Sequence, residues 1–199
     1  MPPKLSAARL RIRSWMRSTT GTQMAELAVA LPLLVVFVVG IYDFGAALDT
    51  KQKLANAVSE GARTGALSPL NDLSASLPSS VGGIRNVVSA YLLAAKLNDC
   101  GLSTASSPSA LPNATWQYVS GGNGCAGSVT LTIQRAYSPA ANLGENGTGG
   151  ASVKLVSTQV SISYPYAWRF NSVITLLVPG AGYAAVTQIT SSAAMLNQS

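Results

Sequence analysis

The sequence predicts an α+β chain: a long N-terminal helix, transmembrane and then amphipathic, with a second helix packed on a small antiparallel sheet. Three observations predict it. Residues 27–42 (LAVALPLLVVFVVGIY) are an uncharged, apolar run. Residues 51–67 and 84–98 carry apolar side chains at helical spacing. Beyond residue 114 the segments alternate or are β-branched, and Gly- and Asn-rich turns separate them.

Charge orients the first element. The 199 residues are 48% hydrophobic and only 10% charged, against about 25% charged for a soluble domain. The net charge of +6 suggests a nucleic-acid binder until it is located. Lys4, Arg9, Arg11, Arg13 and Arg17 account for five of the 13 cations, and the other eight face seven acids. The basicity belongs to residues 1–21, a cytoplasmic leader, and reports membrane orientation rather than nucleic acid.

As a helix, residues 27–42 cover about 24 Å, and their apolar flanks lengthen them to a tilted span over 22–48. A buried helix of a soluble protein is the alternative, but the run is apolar on every face and follows a cation cluster. A secretory signal peptide would have a shorter apolar region and a better small-residue cut site than Ala46-Ala47-Leu48. Pro32 removes a backbone donor and predicts a kink inside the span. Residues 49–67 continue outwards as an amphipathic helix, with a stripe of Leu48, Ala55, Val58, Ala62 and Ala66. Residues 68–199 form the exported α+β domain.

Glu26 stands at the edge of the apolar run. An ionised acid costs up to about 2.5–3.5 kcal/mol at mid-membrane, so a partner is expected. Basic leader, Gly21, four residues, Glu26 and apolar helix together resemble the signal read by prepilin peptidases. A cut after Gly21 would give Thr22 a free ammonium. Chance spacing of one glycine and one acid is the other reading.

A longer pattern adds to this. Glu26-Leu-Ala-Val-Ala-Leu-Pro32-Leu-Leu is followed by Gly40-Ile-Tyr-Asp43-Phe44-Gly45, then Leu48, Gln52, Asn56-Ala57 and Glu60-Gly61-Ala62-Arg63. The pattern resembles the TadE-like family, pseudopilins of the tight-adherence (Tad/Flp) pilus machinery. Leu27 stands where the family usually has an aromatic residue, and Asp43 where it often has Glu. The resemblance implies a pilin-like fold and a bacterial inner-membrane location. It implies a minor subunit or assembly factor whose partners are other pilin-like subunits, the assembly platform and a prepilin peptidase. An uncleaved single-pass envelope protein, using the helix only as an anchor, is the alternative.

Residues 69–83 read as a linker, 84–98 as the second helix and 99–114 as loop. Strands are predicted at 115–119, 129–135, 153–164 and 183–196, with a hairpin-type loop at 143–150 and a short helix or crossover at 168–178. Catalysis finds no support. Histidine is absent, which removes histidine triads and His-containing metal sites, and two cysteines cannot build a Cys-rich zinc site. No cofactor, small-molecule substrate or nucleic acid is expected. A membrane-tethered enzyme with a Ser or Lys nucleophile has only the abundance of serine behind it. Gly122-Asn-Gly124-Cys-Ala-Gly127 fits a nucleotide-binding spelling but precedes a strand, so a turn is expected. Asn113 and Asn146 head glycosylation-type triplets that read as turns. Cys100 and Cys125, both on the exported side, suggest a disulfide contributing roughly 3–4 kcal/mol, with two free thiols as the alternative.

Overall fold

The computed structural model describes residues 19–75, 77–138, 156–169 and 186–198. Helix α1 (Thr19–Leu67) runs 49 residues with Pro32 inside it, about 74 Å of helix. Helix α2 (Ser79–Ala94) follows a short 3-10 turn at Asn71–Ser74. A second such turn, Leu102–Thr104, leads into β1 (Ser109–Leu111), β2 (Thr115–Gly121), β3 (Ser128–Tyr137), β4 (Ser157–Ala167) and β5 (Val186–Leu196). The strands form one antiparallel sheet in chain order. The architecture is the α+β layer expected from the sequence.

Period-two alternation sets the inner face of the sheet. Val129, Leu131, Ile133 and Arg135 of β3 and Val160, Ile162 and Tyr164 of β4 point inward and are buried. Their outward neighbours are Thr, Ser and Gln, as a half-buried sheet requires. α2 contributes Val81, Ile84, Val88 and Leu92 to the same core, and α1 contributes Leu54, Ala57, Val58 and Ala62. Each fully buried aliphatic side chain is worth about 1.5–3 kcal/mol.

Glycine lets α1 come close. A Cβ on Gly61 would lie 2.6 Å from Val88 Cγ2, and one on Gly65 would lie 2.5 Å from Thr158 Cγ2 and 2.9 Å from Ile84 Cδ1. The buried face is therefore Leu54, Ala57-Val58, Gly61-Ala62 and Gly65-Ala66, whereas Leu48 and Ala55, placed on the stripe by spacing, face outwards. Val58, Ala62 and Ala66 of the stripe are buried as expected, and its closest contacts are made by glycines that the apolar letters do not mark.

Differences from the expected strands have local causes. β1 lies in the stretch read as loop; its three residues are exposed and make only an edge ladder with β2. β4 continues through Pro165, which pairs in register with Gln188 of β5. Gly122 and Gly124 take positive φ in the β2–β3 turn, and the next element is strand β3. Asn113 is an exposed turn residue with φ 60. The loop at 143–150 with Asn146, and all of 168–178 beyond Arg169, lie outside the described residues.

Candidate functional site

The first half of α1 makes almost no use of its own chain. Met24, Val29, Phe37 and Ile41 are 73%, 77%, 62% and 73% exposed. An 18-residue window of this helix has a mean hydropathy of 2.5, and none of it is buried. A core helix of a soluble protein would be mostly covered by its own chain, and this one is not. The helix is long and apolar enough to cross a membrane.

Gly21, Thr22 and Glu26 lie in the first turns of α1, with all three residues exposed. The peptide bond after Gly21 is helical. Thr22 and Glu26, four apart, share one face. Pro32 is exposed within the apolar half.

From Asp43 onwards the helix meets its domain, and the motif residues divide between two faces. Asp43 is 1% exposed, and Tyr166 Oη donates to its Oδ1 at 3.0 Å and its backbone carbonyl at 3.2 Å. Burial, then the hydrogen bond and charge of Asp43, push the Tyr166 phenol up to about 12. Gly61 and Ala62 sit on this inward face. Gly45, Gln52, Asn56 and Arg63 are exposed, and their spacings of seven, four and seven residues return to one face of a 3.6-residue helix. Nothing lies within 4 Å of where a Gly45 Cβ would stand. Glu60 is half-buried and pairs loosely with Arg63 at 3.9 Å. Phe44 packs its ring 6.4 Å from Trp168.

Two polar clusters hold the domain on the helix. The Arg135 guanidinium, fully buried, donates to the carbonyls of Gly65, Ser68 and Pro69 and so caps the C-terminus of α1. Its Nε is buried with no acceptor. Asp72 caps α2 through the Ser80 amide at 2.8 Å, with the Ser79 and Ser80 hydroxyls beside it. Burial alone would raise this carboxyl, but the hydrogen bonds from Ser80 and Ser79 and the charge of Arg135 bring it below its ordinary value. Asp99 accepts from Ser89 Oγ and from the amides of Gly101 and Ser103, at 2.8–3.0 Å. Here too burial opposes, and the hydrogen bonds led by Ser103 lower the carboxyl.

Cys100 and Cys125 are joined in a disulfide, with Cα atoms 5.5 Å apart. It ties the chain after α2 to the β2–β3 turn, beside the Asp99 cluster. Among the described residues no cluster of His, Cys, Asp or Glu could hold a metal ion.

The arrangement is therefore an exposed apolar helix segment, a domain fastened along the C-terminal half of the same helix, and a polar helix face left over. Residues 21–63 match the family model described as TadE-like protein. This segment is TadE-like. The match lies within α1 and takes in the motif residues from Gly21 to Arg63. No curated protein and no solved structure matches the chain.

Sequence reasoning missed Arg135, Asp72, Asp99 and the pairing of Tyr166 with Asp43. A cation at the inward register of Val129, Leu131 and Ile133 was the available signal for Arg135. Tyr166 and Asp43 are 123 residues apart, and no local pattern joins them.

Proposed function

We propose that the protein is a minor pilin-like subunit or assembly factor of a tight-adherence pilus. It is anchored in the bacterial inner membrane by α1 within residues 22–48, with residues 1–21 as a cytoplasmic leader and residues 49–199 exported. It works through subunit contacts and not through a catalytic pocket. One observation carries this reading: α1 holds its own domain with Asp43, Gly61 and Ala62, and leaves the Gly45, Gln52, Asn56 and Arg63 face open. What sets these residues apart from an ordinary solvated helix face is that all four lie within the matched TadE-like segment.

Cleavage after Gly21 by a prepilin peptidase would leave a Thr22 ammonium. Within one chain or between neighbours, that ammonium offsets the desolvation of Glu26 and sets the register of one helix against the next. The partners on this reading are the lipid bilayer, other pilin-like subunits and the assembly platform.

The test has two parts. Intact mass should show a mature chain beginning at Thr22, and protease added to spheroplasts should digest the domain. Glu26→Ala and Asn56→Arg should each stay inserted with the disulfide formed, yet fail to support piliation. Full piliation from both variants at normal expression would remove the assembly role. A retained leader in the presence of an active peptidase would leave an uncleaved envelope anchor.

A further inference from the structure

β4 and β5 run alongside the outer half of α1. At one end the Gln198 amide donates to the Ala66 carbonyl at 3.1 Å, and at the other Tyr166 donates to Asp43. The 23 residues between Asp43 and Ala66 rise about 35 Å as helix, and eleven strand residues cover about the same length. The sheet therefore does not stand beyond the helix. It lies along it, and its Tyr166 end comes down to the point where the apolar run stops.

Aromatic rings gather at that point. Trp168 meets Tyr166 edge to face, with centroids 5.1 Å apart, and lies 6.4 Å from Phe44. The Trp168 indole N–H donates to Thr187 Oγ1 at 2.6 Å, which fixes the ring on β5. Tyr42 and Phe44 are each 62% exposed, Trp168 is half-buried and Arg169 is exposed. The domain has built a rigid aromatic rim here and left much of it uncovered among the described residues.

We infer that this rim is a membrane-surface site. Tyr42, Phe44 and Trp168 seat in the headgroup layer of the outer face of the membrane, and Arg169 meets lipid phosphates. The inference rests on α1 being a membrane anchor and narrows the outer end of its span to Tyr42–Phe44. Continuity identifies the occupant: the rim is the upward extension of a helix exposed and apolar on all sides, so whatever surrounds the helix reaches the rim. The amphipathic rings of Tyr42 and Trp168 favour the interface over both the hydrocarbon and the water, Phe44 adds apolar area beside them, and an arginine there extends its guanidinium to the phosphates. Length agrees. From Thr22 to Tyr42 is about 30 Å of helix, one hydrocarbon core, so a rim at the outer boundary sets Thr22 and Glu26 at the inner one. The domain is then held at a fixed height and tilt on the bilayer, and the open face of α1 starts at the membrane surface.

The experiment uses the full chain in phosphatidylcholine–phosphatidylglycerol vesicles and compares its tryptophan fluorescence with that of Trp168→Phe. Of the three tryptophans, Trp116 is buried in the core and Trp15 lies in the leader, so the difference isolates Trp168. Lipids brominated near the carbonyls should quench the Trp168 component at least about twofold more than lipids brominated near the chain ends. Flotation with the vesicles but no quenching of Trp168 by either lipid would overturn this inference and leave the anchor standing, with the rim free for another protein. Failure to float would overturn the anchor and the rim together.

Discussion

Gly65→Ala is the most direct test of how α1 is held. The new Cβ would lie 2.5 Å from Thr158 Cγ2, 2.9 Å from Ile84 Cδ1 and 3.1 Å from the Arg135 Nη1. Two of those neighbours are core side chains on different elements, and the third donates to the carbonyl of Gly65 itself. Overpacking of this kind costs about 1–3 kcal/mol. Disturbing a hydrogen bond from a charged donor adds about 1.5–3 kcal/mol if the bond is lost outright. Alanine returns about 1 kcal/mol of helix propensity. The net expectation is a loss of roughly 2–3 kcal/mol, or about 5–10 °C in midpoint for a chain of this size. Gly45→Ala is the matched control. Its Cβ meets nothing within 4 Å, so it should be neutral or gain up to about 1 kcal/mol. Guanidinium unfolding of both variants in detergent, followed by near-ultraviolet dichroism of the domain, reads the difference. Equal stability of Gly65→Ala and the parent would refute the packing argument. Equal losses at both positions would refute the division of α1 into an inward and an outward face.

Arg135→Met should cost about 3 kcal/mol, because leaving the carbonyls of Gly65, Ser68 and Pro69 short of donors outweighs the gain from removing the buried charge; a denaturation midpoint unchanged from the parent would contradict the capping role. Acid should unfold the domain through Asp72 and Asp99. Both carboxyls are lowered from 3.8 in the fold, so their stabilisation is complete well above that value and is lost as pH falls through the lower folded values. Asp99→Asn should flatten the loss of stability that sets in as pH falls below 3.8, measured as midpoint against pH.

Legibility in the sequence followed the range of each interaction. The long helix was readable because sixteen uncharged residues and a flanking cation cluster need no tertiary context. The sheet was readable because Val129, Leu131 and Ile133 alternate with Thr130 and Thr132 within one strand. β1 was not, since Ser109, Ala110 and Leu111 are exposed and are held by backbone pairing alone. Nor was Arg135 as a cap, because its acceptors lie 66–70 residues earlier and a strand cation reads as solvent-facing by default. Gly61 looked like part of a motif and not like a contact, because a glycine shows its packing only when the neighbour it admits is known.

That last point bears on what the TadE-like segment encodes. Its matched residues end at Arg63, yet their environments come from parts of the chain outside the match. Asp43 is covered through Tyr166 of β4, and Gly61 is set against Val88 of α2. Such a motif can specify where a domain is fastened without specifying the domain. Of the other motif positions, Gln52, Asn56 and Arg63 are exposed away from the core, and Gly45 lies beside Ile41 and Leu48 at the end of the apolar run. Large exposed side chains of the same helix, Leu48 among them, flank that face and add apolar area to it. On the proposed reading, a face that combines a glycine notch, two amides and a guanidinium would receive a second helix. The notch admits a backbone closely, and the amides supply hydrogen bonds that need a fixed partner. On the proposed reading, fastening the domain on the opposite side of α1 keeps the sheet out of the way of that approach.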